Sequence, residues 1–236
     1  MRSFDYIESG KTLLTPHTTS LLAAIHEAKG RQSIQTTIRP DILGTLVAVA
    51  RIQSTDASNR IEGISTSDSR LNDLVSEKVT PRNRNEEEIA GYRDALSVIH
   101  ESHDYIPITP NVILQLHRDL FRHTPLTFAG HFKDSDNVII ERDAHGTSTV
   151  RFAPPSALVT PELIERACSA YTQAIRDGHT DPLLAIAMFI LDFTCIHPFN
   201  DGNGRMSRLL TTLLLYRSGY VTVSYTHLTL PTIYSV

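Results

Sequence analysis

Apolar residues recur at helical spacing along most of the chain. Between Pro16 and Lys29, Leu21, Leu22, Ile25 and Ala28 share one face, and from Pro40-Asp41 onward Leu43, Leu46, Val47 and Ala50 do the same. A shorter stripe of Leu71, Leu74 and Val75 predicts a helix within Ser67 to Lys78. The charged run Arg82-Asn83-Arg84-Asn85-Glu86-Glu87-Glu88 leads into another that reaches His103, and that run reads as a solvated face. Thr109-Pro110, Thr160-Pro161-Glu162 and Asp181-Pro182 each place a capping oxygen before a first-turn proline, which predicts three more helix starts. The most apolar run, Leu183 to Ile196, is interrupted by Asp192 and is shorter than the roughly 20 residues that cross a bilayer. It reads as a buried core helix, followed after a short turn by a last helix from Asn203 to Arg217.

Two segments break the helical period. Asn137-Val138-Ile139-Ile140 and Thr149-Val150-Arg151-Phe152 favour strand and flank the turn-rich connector Arg142-Asp143-Ala144-His145-Gly146, so they predict one β-hairpin. The fold class is therefore mainly α, a helical bundle with a single hairpin, and no solenoid repeat is present. Residues 221–236 differ in character, with no charged residue, no helical period and many β-branched positions. The stretch Ser224-Tyr225-Thr226-His227-Leu228-Thr229-Leu230-Pro231-Thr232 resembles a translated sequencing-adapter read-through; an artefactual end in place of a native C-terminus is the expectation, and no function is assigned to it.

Composition narrows the function classes. At 236 residues, with 41% hydrophobic and 20% charged, the chain is long enough for a well-buried core and too apolar for disorder. The net charge of -4 supplies no global positive field, so neither nucleic acid nor an anionic membrane is an expected partner, and any phosphate must be bound locally. Cys168 and Cys195 both lie in apolar helical patterns and are too few for a disulfide framework. With no signal peptide after Met1, a cytoplasmic location is expected.

Chemistry concentrates in Ile196-His197-Pro198-Phe199-Asn200-Asp201-Gly202-Asn203-Gly204-Arg205-Met206-Ser207-Arg208. Pro198 stops the preceding helix and leaves the His197 imidazole at the mouth of a loop. Gly202 and Gly204 let the backbone turn tightly and approach a ligand closely. The next helix begins at once, presenting unpaired N–H groups and the positive end of its dipole, which together form an anion site. Arg205 and Arg208, three apart, can share a face near its first turns. Asp201 adds a carboxylate beside the phosphates, as Mg²⁺–nucleotide complexes use. The segment is neither a G-x-G-x-x-G nor a Walker loop. Cys195 near His197 is discounted as a nucleophile because it lies in an apolar helix. His117, His123 and His131 read as surface or satisfied residues rather than metal ligands.

The segment closely resembles the signature of the Fic (filamentation induced by cAMP) family, His-Pro-Phe-x-(Asp/Glu)-Gly-Asn-Gly-Arg-x-x-Arg, at every specified position. The resemblance divides the chain into an N-terminal helical segment (1–105), a catalytic core (106–220) and the tail (221–236). It implies a Fic fold and transfer of AMP from ATP to a Ser, Thr or Tyr hydroxyl of a target protein. His197 would be the general base and Asp201 would hold Mg²⁺. Gly202, Asn203 and Gly204 would form the anion cradle, including the Asn203 side chain, and Arg205 and Arg208 would grip the outer phosphates. Phe199 would anchor the loop in the core. The 137–152 hairpin would dock target backbone as an added strand. Self-modification and a homodimer also follow as expectations.

Upstream, Ser58-Asn59-Arg60-Ile61-Glu62-Gly63 fits the family's inhibitory pattern, (Ser/Thr)-x-x-x-Glu-(Gly/Asn). A Glu62 carboxylate on Arg208 would occupy the cation that the ATP γ-phosphate needs, so resting activity is expected to be low. The alternatives are transfer of UMP, phosphocholine or phosphate, removal of AMP with Glu62 positioning water, or a non-catalytic regulatory adaptor. The intact Gly-Asn-Gly-Arg favours AMP.

Overall fold

The computed structural model describes residues 4–38, 40–142 and 148–220. The tail and most of the hairpin connector expected from the sequence lie outside them. Among the described residues there are nine α-helices and one two-stranded sheet. In chain order the elements are α1 (Tyr6–Leu13), α2 (Pro16–Ile38), α3 (Pro40–Ile61), α4 (Asp68–Val75), α5 (Arg84–Ser102), α6 (Pro110–Leu120), β1 (Ile139–Arg142), β2 (Ser148–Phe152), α7 (Thr160–Arg176), α8 (Pro182–Ile196) and α9 (Asn203–Arg217).

The helix starts follow local chemistry. Thr109 caps α6 by accepting from Val112 N–H, and Asp181 caps α8 by accepting from Leu183 N–H. The third expected start differs. Thr160 is already inside α7, where its hydroxyl donates to Ser156 O at 2.9 Å, and Val159 holds the cap position without a side-chain bond. A second difference concerns the charged run before α5. Glu86 and Glu88 are both buried at 3% exposure because each meets an arginine from elsewhere: Arg70 for Glu86, Arg205 for Glu88. The pairing with Arg70 holds the Glu86 carboxyl far down, at about 2. The run is thus partly a buried anchor, not a solvated face.

At the centre, α8 packs between α7 and α9, and α9 in turn contacts α5, α6 and α3. Phe189 and Phe193 of α8 join Leu209, Leu210 and Leu213 of α9, Leu96 and Ile99 of α5, and Ile113, Leu116 and Leu120 of α6 in one core. Burying each such side chain is worth roughly 1.5–3 kcal/mol. This core runs across residue 105, so α5 of the expected N-terminal segment supports the same floor as the expected catalytic core. A smaller cluster of Leu71, Leu74, Val75 and Ile89 seats α4 on α5. The hairpin stands apart: β1 and β2 pair antiparallel, Ile140 opposite Val150, and β2 is exposed along its length. Among the described residues, no helix is long and apolar enough to cross a membrane.

Candidate functional site

The site is the turn that joins α8 to α9. His197 is the C-cap of α8, its N–H donating to Phe193 O at 3.0 Å, with a left-handed backbone at φ 51°. Pro198 then ends the helix and Phe199, fully buried, plugs the turn into the core. The Asn203 side chain closes the turn from the other side: Oδ1 accepts from Phe199 N–H at 2.9 Å and Nδ2 donates to Phe199 O at 2.8 Å. Those two bonds commit the Asn203 amide to shaping the turn, whereas the family resemblance implied a place for it in the anion cradle. Gly202, at φ 81°, caps α9 without a side chain, so the first amides of α9 have no intrahelical acceptor and face the positive dipole end.

His117 on α6 holds the floor of the turn. Its ring is stacked on Phe199 at 3.7 Å between centroids, with an interplanar angle of 1°. Nδ1 accepts from Gly130 N–H at 2.9 Å, which makes Nε2 the donor to Asp201 O at 3.1 Å. Burial pushes this imidazole down to about 4, so it is neutral and satisfied. The apolar stripe Ile113, Leu116 and Leu120 around it is the signal that places His117 inward.

The two arginines diverge. Arg208 turns to the end of α3, where Nε donates to Ser58 Oγ at 2.7 Å and Nη2 to Ser58 O at 2.9 Å and Glu62 Oε1 at 2.7 Å. Glu62 follows immediately after α3, and Gly63 at φ 76° reverses the chain there, with Ile64 N–H bonded to Asn59 O. The carboxylate lies over the first turn of α9, since a Cβ added at Gly204 would collide with Glu62 Oε1. Ser58 and Glu62 therefore meet Arg208 of the signature across 150 and 146 residues of sequence, while Gly63 serves the turn that follows α3.

Arg205 instead is buried at 1% exposure. Its Nη1 donates to Glu88 Oε2 at 2.7 Å, and its guanidinium lies over the Phe121 ring at 4.9 Å. Nη2 is 3.8 Å from Asp201 Oδ1. The expectation that Arg205 and Arg208 share one accessible face thus fails in this arrangement: the carboxylate of Glu88, on a helix 117 residues earlier, draws one guanidinium under the turn.

His197 is half-buried, and burial lowers its pKa below the ordinary 6.5, with Lys133 pushing the same way; a hydrogen bond to the backbone of Thr194 and the Glu62 charge oppose this. The ring is neutral at pH 7, the form that can accept a proton. Asp201 has a side chain 48% exposed, and its Oδ1 accepts from Gly202 N–H at 2.6 Å. A half-exposed carboxylate beside these amides suits a hard divalent cation that takes most of its ligands from phosphate and water. Among the described residues no group of three His, Cys, Asp or Glu forms a protein metal cage. Cys168 is buried, its thiol pushed up to about 12, and Cys195 is half-buried in α8.

A helical bundle, one hairpin, and a glycine-rich turn between two central helices define a Fic-fold protein. Residues 107–215 match the Fic/DOC family. A Fido domain-containing protein of Dictyostelium discoideum is 37% identical over 90 residues, 36% of this chain and 58% of that one. Protein adenylyltransferase fic-1 of Caenorhabditis elegans is 29% identical over 145 residues, 58% of this chain and 25% of that one. The crystal structure of a Fic domain containing signaling protein from Bacteroides thetaiotaomicron superposes with a TM-score of 0.67 at 25% identity, over 76% of this chain and 67% of that one. The chain spans 58% and 25% of the two curated relatives' lengths.

Proposed function

We propose that the chain is a protein adenylyltransferase that moves AMP from ATP to a hydroxyl side chain of a target protein and is held at low activity by Glu62. The observation that carries this reading is the Glu62 carboxylate seated on Arg208 over the first turn of α9. An anion-binding turn occupied by the chain's own carboxylate is what an autoinhibited phosphate site requires. The names of relatives such as the C. elegans fic-1 protein supply the choice of AMP.

In the reaction, the amides that begin α9 bind phosphate oxygens, and Arg208, once released from Glu62, binds the terminal phosphate. His197 takes the proton from the target hydroxyl as its oxygen bonds to the α-phosphorus, and the bond to pyrophosphate breaks. Asp201 would hold Mg²⁺, which supplies neutralising charge to the phosphates when bound. Arg205 acts from below as a fixed cation beside Asp201. The exposed hairpin is the docking edge for a target strand.

Glu62→Gly should raise AMP incorporation from Mg-ATP by tenfold or more, about 1.4 kcal/mol in barrier terms, measured by intact mass or radiolabel. His197→Ala in the same background should remove transfer and leave ATP binding largely intact. Equal labelling by the parent and Glu62→Gly proteins would discard the brake, and full transfer by His197→Ala would discard the base.

A further inference from the structure

His197 is one of two non-glycine residues with positive φ among the described residues. A left-handed residue with a Cβ is strained and persists only where its surroundings fix it. The fixing group comes from the segment that leads into the hairpin. Lys133, 3% exposed, donates from Nζ to Ile196 O at 3.2 Å and from its backbone N–H to Pro198 O at 2.9 Å, bracketing His197 on both sides. The same ammonium donates to Asn137 Oδ1 at 3.0 Å, while Asn137 Nδ2 donates to Phe199 O at 3.3 Å. Asn200 Nδ2 reaches Asp134 Oδ1 at 3.2 Å. Residues 133–137 are thus stapled to residues 196–200, and a cation caps the negative end of α8.

We propose that Lys133 is a positioning residue of the transfer reaction: its ammonium and amide hold the carbonyls on either side of His197 and so fix the imidazole at the mouth of the turn, tied to the base of the hairpin that docks the target. This rests on the reading of His197 as the base. Two charged side chains act on the His197 ring among the described residues, Lys133 from the hairpin side and Glu62 from the end of α3, with opposite sign. The Lys133 charge favours the neutral ring, so its removal should raise the His197 midpoint and move the acid limb of activity to higher pH.

The test uses the full chain carrying Glu62→Gly, with kcat and KM for ATP from AMP incorporation and the His197 midpoint from NMR titration. Lys133→Gln, which keeps a donor and loses the charge, should lower kcat about tenfold, leave KM for ATP nearly unchanged and raise the His197 midpoint. Lys133→Arg should recover most of kcat and the parent midpoint. An unchanged kcat in folded Lys133→Gln, or a loss carried wholly by KM, overturns the proposal. Should Lys133→Gln not fold, Asn137→Ala removes one staple and leaves the lysine; a kcat lowered at constant KM supports the proposal and an unchanged kcat overturns it. Absence of AMP transfer in the Glu62→Gly parent would instead overturn the transfer reading, and the NMR midpoint of Lys133→Gln would still decide the placement of the ring: a rise upholds it, no change overturns it.

Discussion

At the residue scale, the turn between α8 and α9 depends on buried side chains that lie outside it. His117 is buried among Phe121, Phe128 and Phe199, and joins Gly130 N–H to Asp201 O. Replacing it by leucine keeps the bulk and strands a buried donor and a buried acceptor. His117→Leu should cost roughly 2–4 kcal/mol of stability, read by urea unfolding, and should lower transfer in the Glu62→Gly protein because the Asp201 peptide loses its support. A stability unchanged within error would show that these bonds do not hold the turn. His197, Asp201 and Arg208 were legible as a group because a short segment carries them. His117, Glu88 and Lys133 were not, since their partners lie 84, 117 and 63 residues away in sequence. Only His117 left a local trace, in the apolar stripe of α6.

At the element scale, α8, the turn and α9 form one unit, and this unit was the most readable part of the chain. Asp181-Pro182 starts α8, Pro198 forbids its continuation, and α9 spans Asn203 to Arg217 as the pattern predicts. These boundaries depend on local capping and proline geometry, which sequence records directly. Thr160 shows the limit of that reading: its hydroxyl found an upstream carbonyl instead of the α7 amides. Gly202 is where the unit is least tolerant. Its φ of 81° is left-handed, and a Cβ there would come within 2.9 Å of the Phe121 ring. Gly202→Ala should destabilise the fold by about 1–3 kcal/mol, a loss that a thermal melt would register as a lower midpoint. An unaltered melt would mean that the turn can re-form without its glycine.

At the scale of the whole molecule, one buried and one half-buried imidazole make stability depend on pH. His100, edge-on to Tyr216 at 5.0 Å, and His117 are each held near 4 in the fold, chiefly by burial, against 6.5 in an unfolded chain. Their folded values are depressed, so the stability that their neutral forms contribute is present above 6.5 and is lost as pH falls from 6.5 toward 4. The unfolding free energy should drop by on the order of 2 kcal/mol or more between pH 7 and 5. Chemical denaturation at those two pH values measures this, and His100→Phe should flatten part of the slope. The end of α3 carries a different kind of dependence. Ser58 at the end of α3 and Glu62 just after it hold Arg208, and α3 also packs on α5; under the proposed function, a nucleotide seated for transfer and an attached α3 terminus would compete for one guanidinium. Thermodynamic linkage makes that competition reciprocal: whatever pries the α3 terminus loose tightens nucleotide in its reactive pose, and nucleotide in that pose loosens the terminus by the same factor. Under that proposal the brake is also a sensor, since the state of the α3 terminus would report whether the site is loaded.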